Sequence, residues 1–207
     1  MLEDGVEQSL VRFDLVSNLP IHAGIIVDVS ASMEPNLETA KRAALGFFEQ
    51  AIGQKDRATL ITFNDHPNLT VKFTNDRRDL AQGLAGLNAE RGTALYDCIV
   101  FSLYYFNGVR GQRALVLLSD GKDESSRFSF DDTLEYARRA GVAIYAIGLD
   151  YEKAARADRK RLAQLAQETG GRSFFIDSAD GLASIYQEIQ QELRSRYYLA
   201  YQPSAAG

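Results

Sequence analysis

Two short apolar runs, Gly24-Ile25-Ile26-Val27 and Ala114-Leu115-Val116-Leu117-Leu118, limit what this chain can fold into more than any other feature. Neither alternates with polar residues, so each reads as a strand buried on both faces, the pattern of a parallel sheet covered by helices. Each run also delivers an acid: Asp28 directly after the first, Asp120 just after Ser119 in the second. Helical periodicity predicts helices over 37–52, 77–87, 94–106, 132–140, 154–168 and 182–193, with further strands over 142–148 and 173–176. Strands separated by helices imply right-handed β-α-β units. Residues 57–63 and 69–73 read as a hairpin around Asn64-Asp65-His66-Pro67-Asn68, which makes one edge strand antiparallel.

A length of 207 residues, with no repeat or linker, points to one domain able to bury its own core. The flanks read as additions: a strand extension over 1–19, the domain over 20–194, and a strand and tail over 195–207. Leu10 to Ser17 and Tyr197 to Tyr201 both alternate, each with one apolar face. They are expected to pair with each other or to extend the sheet edge, covering apolar surface and tethering the last helix. The abrupt ends suggest that further domains flank this piece. A net charge of −5 argues against nucleic acid or an anionic membrane as partner. No apolar stretch is long enough to insert in a bilayer, and none reads as a signal peptide. Cys98, the lone cysteine, lies in an apolar run and reads as a small buried hydrophobe. Tyr96, Phe101, Tyr104, Tyr105 and Phe106 follow helical spacing and are expected in the core. Nothing in the sequence sets an oligomeric state.

Three segments carry the chemistry. In Asp28-Val29-Ser30-Ala31-Ser32, alternate side chains of an extended backbone point the same way, so three oxygens can converge. Gly92-Thr93-Ala94 opens a helix, and Ser119-Asp120-Gly121 leaves the second apolar strand. In an open α/β sheet all three would lie at the carboxyl ends of central strands, where such folds place ligands. Asp28, Ser30, Ser32, Thr93 and Asp120 offer only hard oxygen donors, which selects Mg²⁺, Mn²⁺ or Ca²⁺ over zinc or copper. Two carboxylates leave such an ion electrophilic, with a coordination position open to a carboxylate from outside.

This constellation resembles the metal-ion-dependent adhesion site of von Willebrand factor type A domains. The likeness takes in Asp28-x-Ser30-x-Ser32, Gly92-Thr93-Ala94-Leu95 and Leu118-Ser119-Asp120-Gly121, and spans about Pro20 to Leu193. The flanks resemble a bacterial branch of related proteins. The resemblance implies a Rossmann-like, doubly wound sheet with helices on both faces, and metal-mediated binding of a protein partner through an acidic residue. It also implies no catalysis, and a location outside the cytoplasm of a bacterium.

Around the five metal-site residues, Glu34 and Asn36 either rim the site or start a helix. Lys122, Asp123 and Glu124 either select the partner or form a solvated loop. Asp97 either supports the metal loop or favours its own helix N-terminus. Two rivals stand beside the binding reading. One is a metal-dependent phosphohydrolase-like enzyme, which would want an acid at position 30, where Ser30 stands; there is no glycine-rich phosphate loop. The other is a structural scaffold with an idle metal site.

Overall fold

The computed structural model describes residues 2–3, 6–15, 19–90, 92–149, 156–178, 181–195 and 197–202. A six-stranded sheet forms the centre, built from β4 (Ile21–Asp28), β5 (Arg57–Phe63), β6 (Pro67–Thr74), β7 (Gln112–Ser119), β8 (Ala143–Leu149) and β9 (Ser173–Ile176). Its order is β6-β5-β4-β7-β8-β9, and β6 alone runs antiparallel. The two apolar runs lie side by side in the middle, with Ile21 opposite Gln112 through Val27 opposite Leu118. The chain steps from β4 to β5 on one side and later to β7 on the other, so the carboxyl ends of β4 and β7 flank the topological switch point.

Period-two geometry splits these strands between two cores. Ile25, Val27, Val116 and Leu118 face the layer formed by α1 (Leu37–Ala51), α2 (Arg77–Ala85) and α6 (Leu182–Arg194). Ile26, Leu115 and Leu117 face α3 (Leu95–Tyr105), α4 (Phe130–Ala140) and α5 (Arg156–Glu168). Helices therefore cover both faces of a mostly parallel sheet with one antiparallel edge, a Rossmann-like doubly wound fold.

Local chemistry sets the boundaries. Ser129 accepts from the Asp132 N–H while the Asp132 carboxylate accepts from the Ser129 N–H, a capping box that starts α4 two residues earlier than periodicity alone predicts. A 3₁₀ stretch, Ala31–Asn36, precedes α1 and contains Pro35. Pro67 heads β6, an edge strand, where its missing N–H costs no ladder bond. At the far end of the sheet the buried Asp56 carboxylate gathers three elements: its oxygens accept from the N–H of Ile21 and of Gly53, each at 2.8 Å, and it pairs with Arg194 at the end of α6.

Two sequence expectations need correction. The flanking strands β3 (Leu10–Leu15) and β10 (Tyr197–Tyr201) do pair, antiparallel, in a two-stranded sheet of their own. The apolar side chains described there are not covered, however: Val11 is 71% and Phe13 60% exposed, and Tyr197, stacked on Phe13, is itself exposed. Residues 16–18, the end of the expected first strand, lie outside the described residues, as do the side chains of Asp14, Leu15 and Tyr198. A small additional hairpin, β1 (Leu2–Glu3) with β2 (Val6–Glu7), precedes them. The second correction concerns α3. Tyr96 and Phe106 are core residues as expected, but Tyr104 is 66% exposed and Phe101 half-buried.

Candidate metal centre

Asp28 ends β4 with no solvent exposure. Beyond it the chain stays extended because Val29 N–H bonds to Phe63 O (2.9 Å), Glu90 N–H bonds to Val29 O (2.8 Å), and Ser30 bridges Glu90. The Asp28 carboxylate is spoken for on both oxygens. Oδ1 accepts the Ser30 N–H at 2.9 Å, and Oδ2 accepts the Ser119 hydroxyl at 2.7 Å. Burial pushes the Asp28 carboxyl up to about 6; the hydrogen bonds from Ser30 and Ser119 oppose that, and the nearby Asp120 charge adds to it. A cation placed here would relieve both the burial and the repulsion.

Ser30 and Ser32 present their hydroxyls together, Oγ to Oγ at 3.2 Å, with Ser30 buried and Ser32 exposed. Asp120 is buried too. Its Oδ1 accepts the Lys122 N–H at 3.1 Å, and its Oδ2 takes the Lys122 ammonium at 2.8 Å. That ammonium is partly exposed, so a protein cation on a flexible stem occupies one oxygen of the second acid.

Thr93, also buried, sits in a loop pinned from two sides. Its carbonyl accepts the N–H of Glu124 at 2.9 Å and of Ser125 at 3.1 Å, and the following Ala94 N–H bonds to Asn64 O. Gly92 holds φ at +90°, and a Cβ there would lie 2.6 Å from the Asp65 Cβ, so no other residue lets the hairpin turn pack this closely on the Thr93 loop. Gly121 has φ +87° and packs on Leu162 of α5, turning the chain sharply after Asp120.

The remaining sequence candidates divide. Glu34 and Asn36 lie in the 3₁₀ stretch after Ser32, Glu34 exposed and Asn36 half-buried. Asp123 turns inward: its Oδ1 accepts the Tyr96 N–H at 3.2 Å and the Ser126 hydroxyl at 2.6 Å, satisfying the open end of α3. Asp97 reaches the other way, with Oδ1 accepting the N–H of Arg127 (2.9 Å) and of Phe128 (3.0 Å). Together they lace the loop after Asp120 onto the start of α3. Lys122 and Glu124 lie along that loop, Glu124 exposed.

Sequence reasoning passed over Ser119, the buried donor that fixes Asp28 and whose Oγ also accepts the Gly121 N–H at 2.9 Å. The signal was available. Val27 lies opposite Leu118, so setting the two apolar runs side by side puts Ser119 next to Asp28.

Among the described residues no three carboxylate, imidazole or thiolate groups converge on one point. The candidate set is instead two carboxylates with three hydroxyls, all hard donors at one end of the sheet, and that donor chemistry suits Mg²⁺, Mn²⁺ or Ca²⁺.

Residues 24–188 match the von Willebrand factor type A domain. The chain belongs to that family. Among curated proteins this von Willebrand type A domain is 27% identical over 136 residues to an uncharacterized protein of Borreliella burgdorferi, covering 60% of the chain and 39% of that protein. The chain thus spans only about two-fifths of that relative's length. Among solved structures it resembles the conserved hypothetical protein BatB of Bacteroides thetaiotaomicron, with TM-score 0.69 and 21% identity over 84% of this chain and 100% of that one. It also resembles the vWF domain of the type V pili tip protein Mfa5 of Porphyromonas gingivalis, with TM-score 0.66 and 14% identity over 84% and 94% of the two chains. At these identities the structural likeness speaks for the fold.

Proposed function

We propose that this domain binds a protein partner by bridging to one of its acidic groups through a divalent cation, Mg²⁺ or Mn²⁺, held by Asp28, Ser30, Ser32, Thr93 and Asp120. The observation that carries the reading is the pair of buried acids at the sheet's switch point, set among hydroxyls and with no thiolate or imidazole in the set. Asp28 is oriented by Ser30 and Ser119, Asp120 by the backbone after it, and Thr93 by the loop it anchors. These residues would hold the ion; the ion would supply an electrophilic position for a carboxylate. Ser30 stands where a phosphohydrolase-like enzyme would want a second acid, which favours binding over catalysis. The pilus-tip neighbour supports a role in contact between proteins outside the cytoplasm. Among the described residues no helix is long and apolar enough to cross a membrane.

One observation favours a second reading, a scaffold whose metal site is idle: the Lys122 ammonium already neutralises Asp120. The two separate by experiment. In the binding reading, the immobilised domain retains a protein partner in Mn²⁺ and releases it in EDTA, and Asp28→Ala retains nothing. Equal retention in Mn²⁺ and EDTA by both proteins would establish the scaffold.

A further inference from the structure

The donors on the carboxylate oxygens of Asp28 and Asp120 are not alike. Asp28 accepts the Ser30 N–H on Oδ1 and the Ser119 hydroxyl on Oδ2. Asp120 accepts the Lys122 N–H on Oδ1 and the Lys122 ammonium on Oδ2, the latter at 2.8 Å. Two of these donors are backbone groups, and the third is a hydroxyl buried at the end of β7. The ammonium alone carries a charge, and it rides on a flexible stem whose side chain is 43% exposed. It can therefore leave while the other three donors stay in place. Its return onto Asp120 is built into the turn. Gly121 holds φ at +87°, and a Cβ there would lie 2.8 Å from Leu162 of α5.

Formal charge shows what this ammonium does in each state. Without an ion, Asp28, Asp120 and Lys122 together carry one net negative charge. A divalent ion turns that into one net positive charge, and a carboxylate from a partner then brings the sum to zero. With an uncharged residue at position 122, the same three states carry two negative charges, none, and one negative charge. The lysine thus opposes the ion and favours the anion that follows it. Asp28 and Asp120 are buried, so these interactions are screened less than those between surface charges. Lys122 is also the one cationic side chain in the two segments that leave the central strands, residues 28–36 and 119–126. The exposed carboxylates Glu34 and Glu124 lie in those segments, and an acidic partner is repelled by both.

We propose that Lys122 works in two positions: on Asp120 in the metal-free protein, and, once a divalent ion displaces it, on the acidic group of the partner that the ion bridges. The residue then sets a threshold for ion loading and selects an acidic partner over a neutral one. Ion and partner also favour each other, because the ion breaks the Lys122–Asp120 pair and the partner's carboxylate gives the freed ammonium a new one. The proposal rests on the metal-bridging reading, and its test separates the two.

The experiment titrates Mn²⁺ into the parent, Lys122→Met, Lys122→Arg and Asp28→Ala, with free Mn²⁺ read by electron paramagnetic resonance. Acetate, as the carboxylate probe, is then titrated into the Mn²⁺-loaded proteins. Its binding is read as loss of the water-proton relaxation enhancement when it displaces water from the bound ion. Methionine keeps an unbranched stem and removes the charge, and circular dichroism melting in EDTA checks that each variant folds. Lys122→Met should bind Mn²⁺ several-fold more tightly than the parent and acetate several-fold more weakly, whereas Lys122→Arg should keep most of the acetate affinity. A merely structural role for Lys122 would weaken both ligands together. Tighter Mn²⁺ binding by Lys122→Met with unchanged acetate affinity overturns the proposal and leaves the metal site standing. So does weaker Mn²⁺ binding by that variant, or a loaded parent that takes no acetate. No Mn²⁺ binding by the parent, or equal binding by Asp28→Ala, overturns the metal reading itself and the proposal with it.

Discussion

A carboxylate as enclosed as Asp28 is expensive to keep ionised, and the surrounding residues show how the chain offsets that cost. Two hydrogen bonds hold it, one from the Ser30 backbone and one from the Ser119 hydroxyl. Neither supplies a full positive charge, which is the deficit the proposed cation would meet. Asp28→Ala and Asp120→Ala should each abolish tight Mn²⁺ binding with the fold retained, because without metal the two acids repel each other. Ser30→Ala should weaken binding less, since water replaces a neutral donor readily. Lys122→Ala should tighten Mn²⁺ binding several-fold by removing the resident ammonium from Asp120, as read by competition against a fluorescent chelator; weaker binding would make Lys122 a supporter of the site. At this scale Asp28, Ser30, Ser32 and Asp120 stand out in the sequence because they follow apolar runs, and Thr93 because it precedes a helix. Ser119 was not, because its role comes from the register between two strands that are distant in sequence.

At the scale of elements, hydrophobic periodicity located each α-helix among the described residues within a few positions, and the misses have local causes. The capping box at Ser129 advanced α4, and Pro35 allowed only a 3₁₀ stretch before α1. The outward face of α3 was illegible because a helix apolar on all sides gives no signal of which side meets solvent. Side-chain chemistry likewise hid the anchor of the last helix. Beside the tether expected from β10, the last helix has a second anchor in Arg194, which pairs with the buried Asp56, itself bonded to the start of β4 and the end of α1. Removing one partner of a buried pair leaves the other uncompensated. Asp56→Ala should therefore cost about 3 kcal/mol in urea unfolding, the low end of the range because Arg194 is one-third exposed. A loss under about 1 kcal/mol would show that α6 is held by packing alone.

Over the whole molecule, one sheet serves two ends: the acids and hydroxyls gather where β4 and β7 finish, while Asp56 and Arg194 lock the opposite edge. Terminal strands β3 and β10 form a separate ribbon with an exposed apolar face. A two-stranded ribbon contributes little by itself. Truncation after Ser195 should leave the melting temperature and Mn²⁺ affinity nearly unchanged, whereas truncation after Leu193 should destabilise the domain as Asp56→Ala does. Equal effects of the two truncations would return the tether to β10. Calorimetric titration of Mn²⁺ into the metal-free domain and into Asp28→Ala shows whether this end of the sheet holds a divalent cation. A cation site built on Asp28 gives saturable binding of one ion by the parent and none by the variant. Equal heats from the two proteins, or no binding by the parent, would contradict it.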